Sequence, residues 1–320
     1  MNLIGLDLGG TKLAGAIFET DGSIRTRRVK SLDGRTGKAV GALITGLLKE
    51  LIEQDESVNA IGISVPGIYY ARSGRVWAPN IPGWEDYPLL DELSSFIKNA
   101  SIAVTVDSDR ACYILGEAWR GAARGCSHAI YVAVGTGIGA GIMIDGKILR
   151  GSSDIAGATG WMALKTPFLP EYVACGCFEY HASGTGIAEV ARKKLQEKTE
   201  YDGVLRQKDQ FTLTAKDIFA AYDTGDIIAR EVLEESIRLW GMATVNYVSL
   251  FNPEKIIFGG GVFGPAAQFI DRIRTEAQKW AQPISIGQVS IEITRLGGDA
   301  GLIGAGRLAQ LALENYKQGV

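Results

Sequence analysis

The sequence predicts an α/β protein of two lobes, and three observations carry that prediction. Apolar runs of strand length alternate with segments of helical spacing along nearly the whole chain. The opening plan of strand, Gly/Thr turn, strand and Asp-Gly turn recurs about 128 residues later. The length of 320 residues exceeds the roughly 100–200 residues of a usual single domain. A small N-terminal lobe is expected over 1–118 and a large C-terminal lobe over 119–299. A last helix, 300–320, is expected to pack back on the first lobe.

The elements follow in order. Asn2–Leu6 and Leu13–Glu19 read as strands around a Gly-Gly-Thr-Lys turn, and Asp21-Gly22 turns into a third strand, Ser23–Lys30. Ala39–Leu51 has helical apolar spacing, and Ala60–Val65 is a short buried strand stopped by Pro66-Gly67. A helix at Leu89–Ile97, a strand at Ile102–Val106 and a helix at Asp109–Trp119 complete the first lobe. The plan then restarts with strands at Ala129–Val134 and Gly139–Ile144 around Gly135-Thr136-Gly137, followed by Asp145-Gly146. Helices are expected at Gly184–Leu195 and Asp226–Leu250, the second stopped by Asn252-Pro253. Lys255–Phe258 reads as a strand, Pro265–Lys279 as a helix, Val289–Thr294 as a strand and Ala300–Leu313 as a final helix.

Composition excludes several classes. With 33 Lys and Arg against 36 Asp and Glu, the net charge is −3, so nothing draws the chain to nucleic acid or an anionic membrane. A hydrophobic content of 46% supplies a core and argues against global disorder. No apolar run approaches the ~20 residues of a membrane span. The first apolar run contains Asp7, unlike a signal peptide. Four cysteines make no disulfide framework, and a reducing, cytoplasmic location is expected. The 41 glycines, against an average of about 7%, gather at turns.

Four segments carry chemistry. In Asp7-Leu8-Gly9-Gly10-Thr11-Lys12 the glycines let backbone amides converge on an anion, and Thr11 and Lys12 add a hydroxyl and a positive charge. Asp7 is suited to hold magnesium through water. Gly135-Thr136-Gly137-Ile138-Gly139 repeats the backbone-donor argument. Gly259 to Gly264 formally matches GxGxxG, but no acidic residue ends a strand about 20 residues on, so a flat glycine wall against a purine is the better reading. Val106-Asp107-Ser108-Asp109-Arg110 opens a helix: it reads equally as a local N-cap and as a carboxylate that accepts a proton from a substrate hydroxyl.

These motifs together resemble the ROK sugar kinases, within the group with the actin-like, ribonuclease-H-like ATPase fold. Asp7–Lys12 is similar to that family's DxGGTK loop, Gly135–Gly139 to its second phosphate loop and Ile256–Gly261 to its adenosine segment. Asp107–Ala111 aligns with its ENDAN box, and Ser64–Gly67 and Pro79–Trp84 with its two sugar-side loops. The resemblance implies ATP- and magnesium-dependent phosphorylation of a sugar hydroxyl, usually at C6, in a cleft between two lobes of a homodimeric protein. It implies Asp109 as catalytic base. It implies Asp7, Gly9, Gly10, Thr11, Lys12, Gly135, Thr136, Gly137, Gly260 and Gly261 as ATP contacts. Gly67, Asn80, Ser108, Asp109, Trp161 and Glu179 fall on the sugar side.

The chain departs from the family pattern on that side. Where the family has AGEIGH, this sequence has Ala156-Gly157-Ala158-Thr159-Gly160-Trp161, so Ala158 replaces the Glu and Trp161 the His. Ser108 stands where the family has an Asn. A buried hydroxyl that loses its partner costs about 1–3 kcal/mol, so plain glucose is not the expected acceptor. Trp161 either stacks on a ring or aglycone or fills the space of the missing His. Cys175, Cys177 and His181 are too few and awkwardly spaced for the family's zinc, and no zinc site is expected. Cys112, Cys126, Cys175 and Cys177 are expected in the core. Asp154 reads as a loop carboxylate or a ligand for an amino group, and Arg110 as the partner of Asp107. The alternatives are a catalytically silent sugar-binding protein on the same fold, and an NAD-dependent enzyme using Gly259–Gly264.

Overall fold

The computed structural model describes residues 2–98 and 102–318. Its residues gather into two compact units. The first comprises Met1–Gly125, Ile148–Ala156 and Arg295–Val320, the second Cys126–Lys147 and Gly157–Thr294. The change of unit therefore falls at Gly125 rather than 118, and a short middle segment belongs with the first unit. The last two residues of the expected 300–320 helix lie outside the described residues.

In chain order the first unit holds β1 (Asn2–Leu8), β2 (Lys12–Phe18), β3 (Ile24–Ser31), α1 (Lys38–Gln54), β4 (Val58–Val65), β5 (Ile68–Tyr70), β6 (Arg75–Trp77), α2 (Leu89–Phe96), β7 (Ala103–Ser108) and α3 (Asp109–Arg120). The chain continues with β8 (Ala129–Val134), β9 (Ile138–Ile144) and the two-residue β10 (Lys147–Ile148). Then come α4 (Tyr172–Cys175), α5 (Cys177–Ala182), α6 (Gly184–Glu197), α7 (Ala215–Asp223) and α8 (Ile227–Phe251). The chain ends with β11 (Lys255–Gly259), α9 (Ile270–Gln278), α10 (Pro283–Gln288), β12 (Ser290–Ile293) and α11 (Ala300–Gln318).

The two main sheets share one plan, ordered β3-β2-β1-β4-β7 and β10-β9-β8-β11-β12. In each, the first strand pairs antiparallel with the next and parallel with a later one. The recurrence read from the sequence is thus a repeat of sheet topology. β1 and β8 are apolar and nearly wholly buried because each is covered on both faces. β3 is an edge strand, and its Arg25, Arg27, Arg28 and Lys30 protect the unpaired backbone. The register places Asp7 beside Ser64 and Ser64 beside Asp107, one row across three parallel strands.

Against the first unit's sheet, α1 buries Val40, Ile44, Leu47, Leu48 and Leu51, one helical stripe. On the other side α11 brings small residues to backbone. A Cβ on Gly304 would land on the carbonyl oxygen of Cys112 in α3, and one on Gly62 in β4 on that of Ala305. The seam exists because these positions carry no side chain. The second unit packs its core around α8, with Trp240 and Tyr247 fully buried beside Phe178, Phe258 and Phe263.

Some expectations are corrected. Pro265–Lys279 is not one helix: Pro265–Phe269 is a 3-10 turn that runs into α9. The β5–β6 hairpin and the helices α4, α5, α7 and α10 went unread, most of them being too short for periodicity to register. Cys126 and Cys175 are partly exposed rather than core, whereas Cys112 and Cys177 are buried.

Candidate functional site

In the first unit the site begins at the row Asp7–Ser64–Asp107. Ser64 Oγ donates to Asp7 Oδ1 at 2.7 Å. Burial pushes the Asp7 carboxyl above its usual range, the Ser64 bond and the Lys12 charge oppose it, and the charge of Asp299 adds to it. A Cβ at Gly301 would stand 2.6 Å from Asp7 Oδ1, so the start of α11 leaves room for this carboxylate only as glycine. Gly9 N donates to Lys12 O at 2.9 Å, closing the β1–β2 turn. Gly10, Thr11 and Lys12 are exposed there, open to an anion.

The loop Pro79–Trp84 reaches the same turn. A Cβ on Gly10 would lie 3.9 Å from that of Asn80. Asn80 is exposed, on a loop closed by Ala78 N to Trp84 O at 2.7 Å and anchored by Trp84. That indole is fully buried, stacks on Tyr87 at 4.3 Å and donates to Gly37 O at 3.0 Å.

Asp109 opens α3. Its Oδ1 accepts from Arg110 N at 2.8 Å and its Oδ2 from the Tyr113 hydroxyl at 3.3 Å. Burial pushes its pKa up to about 6; Arg110 opposes the rise and the charge of Asp7 adds to it. The local N-cap reading holds for this segment, on the residue before Asp109. Ser108 is the N-cap, its hydroxyl accepting from Ala111 N at 3.3 Å, and Asp109 is the carboxylate with a raised pKa.

The expected Arg110–Asp107 pair is not formed. Arg110 extends instead to Gly67 O at 3.3 Å, and buried Asp107 is taken by Arg150, whose Nε lies 3.1 Å from Oδ2 and whose Nη2 bonds the same oxygen. Asp154, at a positive φ of 60°, is not simply solvated: its Oδ2 accepts from Ala71 N at 3.0 Å.

The second unit brings its own glycines together. Gly135 N donates to Gly137 O at 2.9 Å, and the first amides of α6 reach back to this turn, Gly184 N to Gly135 O at 2.8 Å. Gly260 has φ 91°, and a Cβ there would strike the Val134 carbonyl. Only glycine allows this approach, which sets Gly260–Val262 beside the end of β8. Nothing lies within 4 Å of the missing Cβ at Gly135 or Gly261, and Thr136 is exposed, so this face is open. Gly184 was not singled out in the sequence, although Gly184-Thr185-Gly186 repeats Gly135-Thr136-Gly137 and could have been.

Glu179 Oε2 accepts from Ile138 N at 2.6 Å. A Cβ on Gly160 would lie 2.9 Å from the same oxygen. The carboxylate thus sits against both the β8–β9 turn and the Ala158–Trp161 segment, and burial pushes its pKa up. Trp161 is 58% exposed, so it does not fill a space left by the missing His.

Cys175, Cys177 and His181 do not fit a zinc ion. The His181 Nε2 is bonded to the Tyr172 hydroxyl at 2.8 Å, and Cys177 Sγ lies toward Lys165 O at 4.0 Å. Burial lowers the His181 pKa to about 4 and keeps the ring neutral. Among the described residues no three metal-ligating side chains converge. Magnesium makes a smaller demand, one or two carboxylates plus phosphate and water. Asp7 fits it: among the described residues only Oδ1 takes a donor, and a cation would relieve its burial. Tyr113 and Arg150 were missed as site residues, and Ser64 was read only within the loop Ser64–Gly67 and not as the partner of Asp7, because only strand register and tertiary packing bring them to the acids.

A family model described as the ROK family matches residues 3–312. A glucokinase of Halalkalibacterium halodurans is 33% identical, over 99% of this chain and 97% of that protein. An N-acetyl-D-glucosamine kinase of Escherichia coli is 28% identical, over 84% of this chain and 88% of its own. The crystal structure of a ROK family glucokinase from Streptomyces griseus, in complex with glucose and AMPPNP, superposes with a TM-score of 0.77 at 29% identity, covering 97% of this chain and 100% of that one.

Proposed function

The chain belongs to the ROK family and is an ATP-dependent sugar kinase of the actin-like ATPase fold, and from that premise we propose that it phosphorylates the 6-hydroxyl of a hexose derivative with Asp109 as general base. The observation that carries the reading is Asp109 itself, a carboxylate at the mouth of α3 held at a pKa of about 6. That value keeps it ionised at neutral pH yet basic enough to take a proton during transfer. In the step, the acceptor hydroxyl oxygen bonds to the γ-phosphorus, its proton passes to an Asp109 oxygen, and the bond from the γ-phosphorus to the β–γ bridging oxygen breaks to release ADP. Bound magnesium would neutralise the phosphate oxygens, with Asp7 holding it through water. In the first unit the Gly10 amide, with Thr11 and Lys12, binds phosphate oxygens, and Gly9 holds the turn closed through its bond to Lys12 O. In the second unit the Gly137 amide and Thr136 do so, with Gly135 closing that turn through its bond to Gly137 O, and Gly260 and Gly261 face the adenosine. Positioning and charge stabilisation supply most of the rate.

On the acceptor side the reading assigns Gly67, Asn80, Ser108, Trp161 and Glu179. The exposed Trp161 and the methyl of Ala158 offer apolar surface where a Glu and a His would bind hydroxyls. They support an acceptor with an N-acetyl or glycosidic substituent over plain glucose. A cytoplasmic homodimer belongs to the same reading.

The test is an ATP-consumption screen with magnesium over glucose, mannose, N-acetylglucosamine, N-acetylmannosamine and simple glycosides, run beside Asp109→Asn. Loss of about 10²–10⁴-fold in kcat in the variant is expected. Turnover within about tenfold of the parent would remove Asp109 as base. Sugar binding without ATP consumption would favour the silent binding protein.

A further inference from the structure

The ion pair of Arg150 with Asp107 is the strongest feature that the reaction as described does not use. The Asp107 side chain is 8% exposed and that of Arg150 42%. The two carboxylate oxygens have separate partners. Oδ1 accepts from Ser108 N at 2.8 Å, and Oδ2 takes both Nε and Nη2 of Arg150. Ser108 caps α3 and Asp109 is its first residue. A chain of bonds therefore runs from the guanidinium through one carboxylate to the amide of Ser108, the residue just before Asp109.

Arg150 is itself held. It lies in Ile148–Ala156, the short segment of the first unit. There Ile148 packs on Cys112, Leu115 and Leu308, Asp154 accepts from Ala71 N, and Ala156 N donates to Arg150 O at 3.0 Å. The anchored backbone presents a planar fork, which fixes direction in a way that a flexible ammonium does not.

We infer that Arg150 is a positioning residue for phosphoryl transfer: by clamping the Asp107 carboxylate it fixes the β7–α3 turn and with it the direction of Asp109. The inference rests on the reading of Asp109 as general base. Without Arg150, the buried Asp107 carboxylate has no counter-charge in this clamp. It then takes a proton or draws in water, and either change weakens its hold on the Ser108 amide. A base displaced by about 1 Å loses up to about 100-fold in rate.

The test uses Arg150→Gln, Arg150→Lys, Asp107→Asn and the double variant Asp107→Asn/Arg150→Gln in the full chain. Turnover is measured with whichever of glucose, mannose or N-acetylglucosamine is phosphorylated. Amide exchange over residues 107–111 is measured without any acceptor. Arg150→Gln is expected to lower kcat about 10- to 100-fold, to leave the KM for ATP within about threefold, and to speed exchange over 107–111. Arg150→Lys is expected to recover part of the loss. The double variant is expected to be no worse than Asp107→Asn alone, since the effect runs through that carboxylate. Arg150→Gln with unchanged exchange, or with kcat within about twofold, overturns the inference. So do losses that multiply in the double variant, which would mean that Arg150 acts without Asp107. If Asp109→Asn keeps its activity while exchange responds to Arg150→Gln, the reading of the base fails and the clamp on the turn stands.

Discussion

At the scale of single residues, burial sets the behaviour of Asp109. Its pKa of about 6 predicts that log kcat/KM falls with unit slope below that pH, readable in a pH profile of initial rates. The stability effect has the opposite sense. The folded pKa lies above the ordinary carboxylate value of 3.8, so the folded state binds this proton more tightly than the unfolded one. The group's stabilising contribution is therefore full below about pH 4 and is lost as pH rises through about 6. Asp109→Asn is expected to melt no lower than the parent at pH 7 while losing its turnover, and calorimetry at pH 4 and 7 checks the sign. Asp7 and Asp109 were legible because each sits in a dense local pattern of glycines, hydroxyls and charges. The bonds that Ser64, Arg150 and Tyr113 make to the acids were not. Ser64 meets Asp7 through parallel strand register, Arg150 reaches Asp107 across 43 residues of chain, and the Tyr113–Asp109 bond depends on a side-chain geometry that helical spacing only permits.

At the scale of elements, the contact of α11 with α3 and the sheet depends on side chains that are not there. Gly304→Ala would drive a methyl into the Cys112 carbonyl and is expected to cost about 1–3 kcal/mol, read as a lower midpoint in urea. Gly46 is the control. It is exposed on α1 with nothing within 4 Å of its missing Cβ, so Gly46→Ala should raise stability by about 0.5–1 kcal/mol. The sequence revealed α11 as a helix but not which of its faces is the buried one. Its glycines read as weak helix formers, and only the close backbone approach explains them. Longer elements such as α8 and β1 were legible within a residue or two, because their apolar pattern is decided locally. The 3-10 turn before α9 was not, since Pro265 starts either kind of helix equally well.

At the scale of the whole molecule, the two matching sheets were legible as a repeated plan, and the passage of the chain between units was not. Nothing local in Ile148–Ala156 says that it belongs with the first unit; its anchors lie far away in sequence. A chain ended at Thr294 lacks the segment from Arg295 that completes the first unit. Limited proteolysis of such a chain is expected to protect fragments within 157–294 and to cut within 1–125. Equal protection of both would show that α11 is dispensable. The three-part build of the first unit also bears on how the protein is made. A ribosome delivers β1 long before α11, with the whole second unit between them, so the first sheet emerges with Gly5 and Gly62 uncovered and waits for its cover. The second unit has all its strands by β12 and can settle earlier. The lobe that carries Asp109 is thus begun first and finished last, and a nascent chain that stalls before residue 295 leaves that apolar sheet face for chaperones to hold.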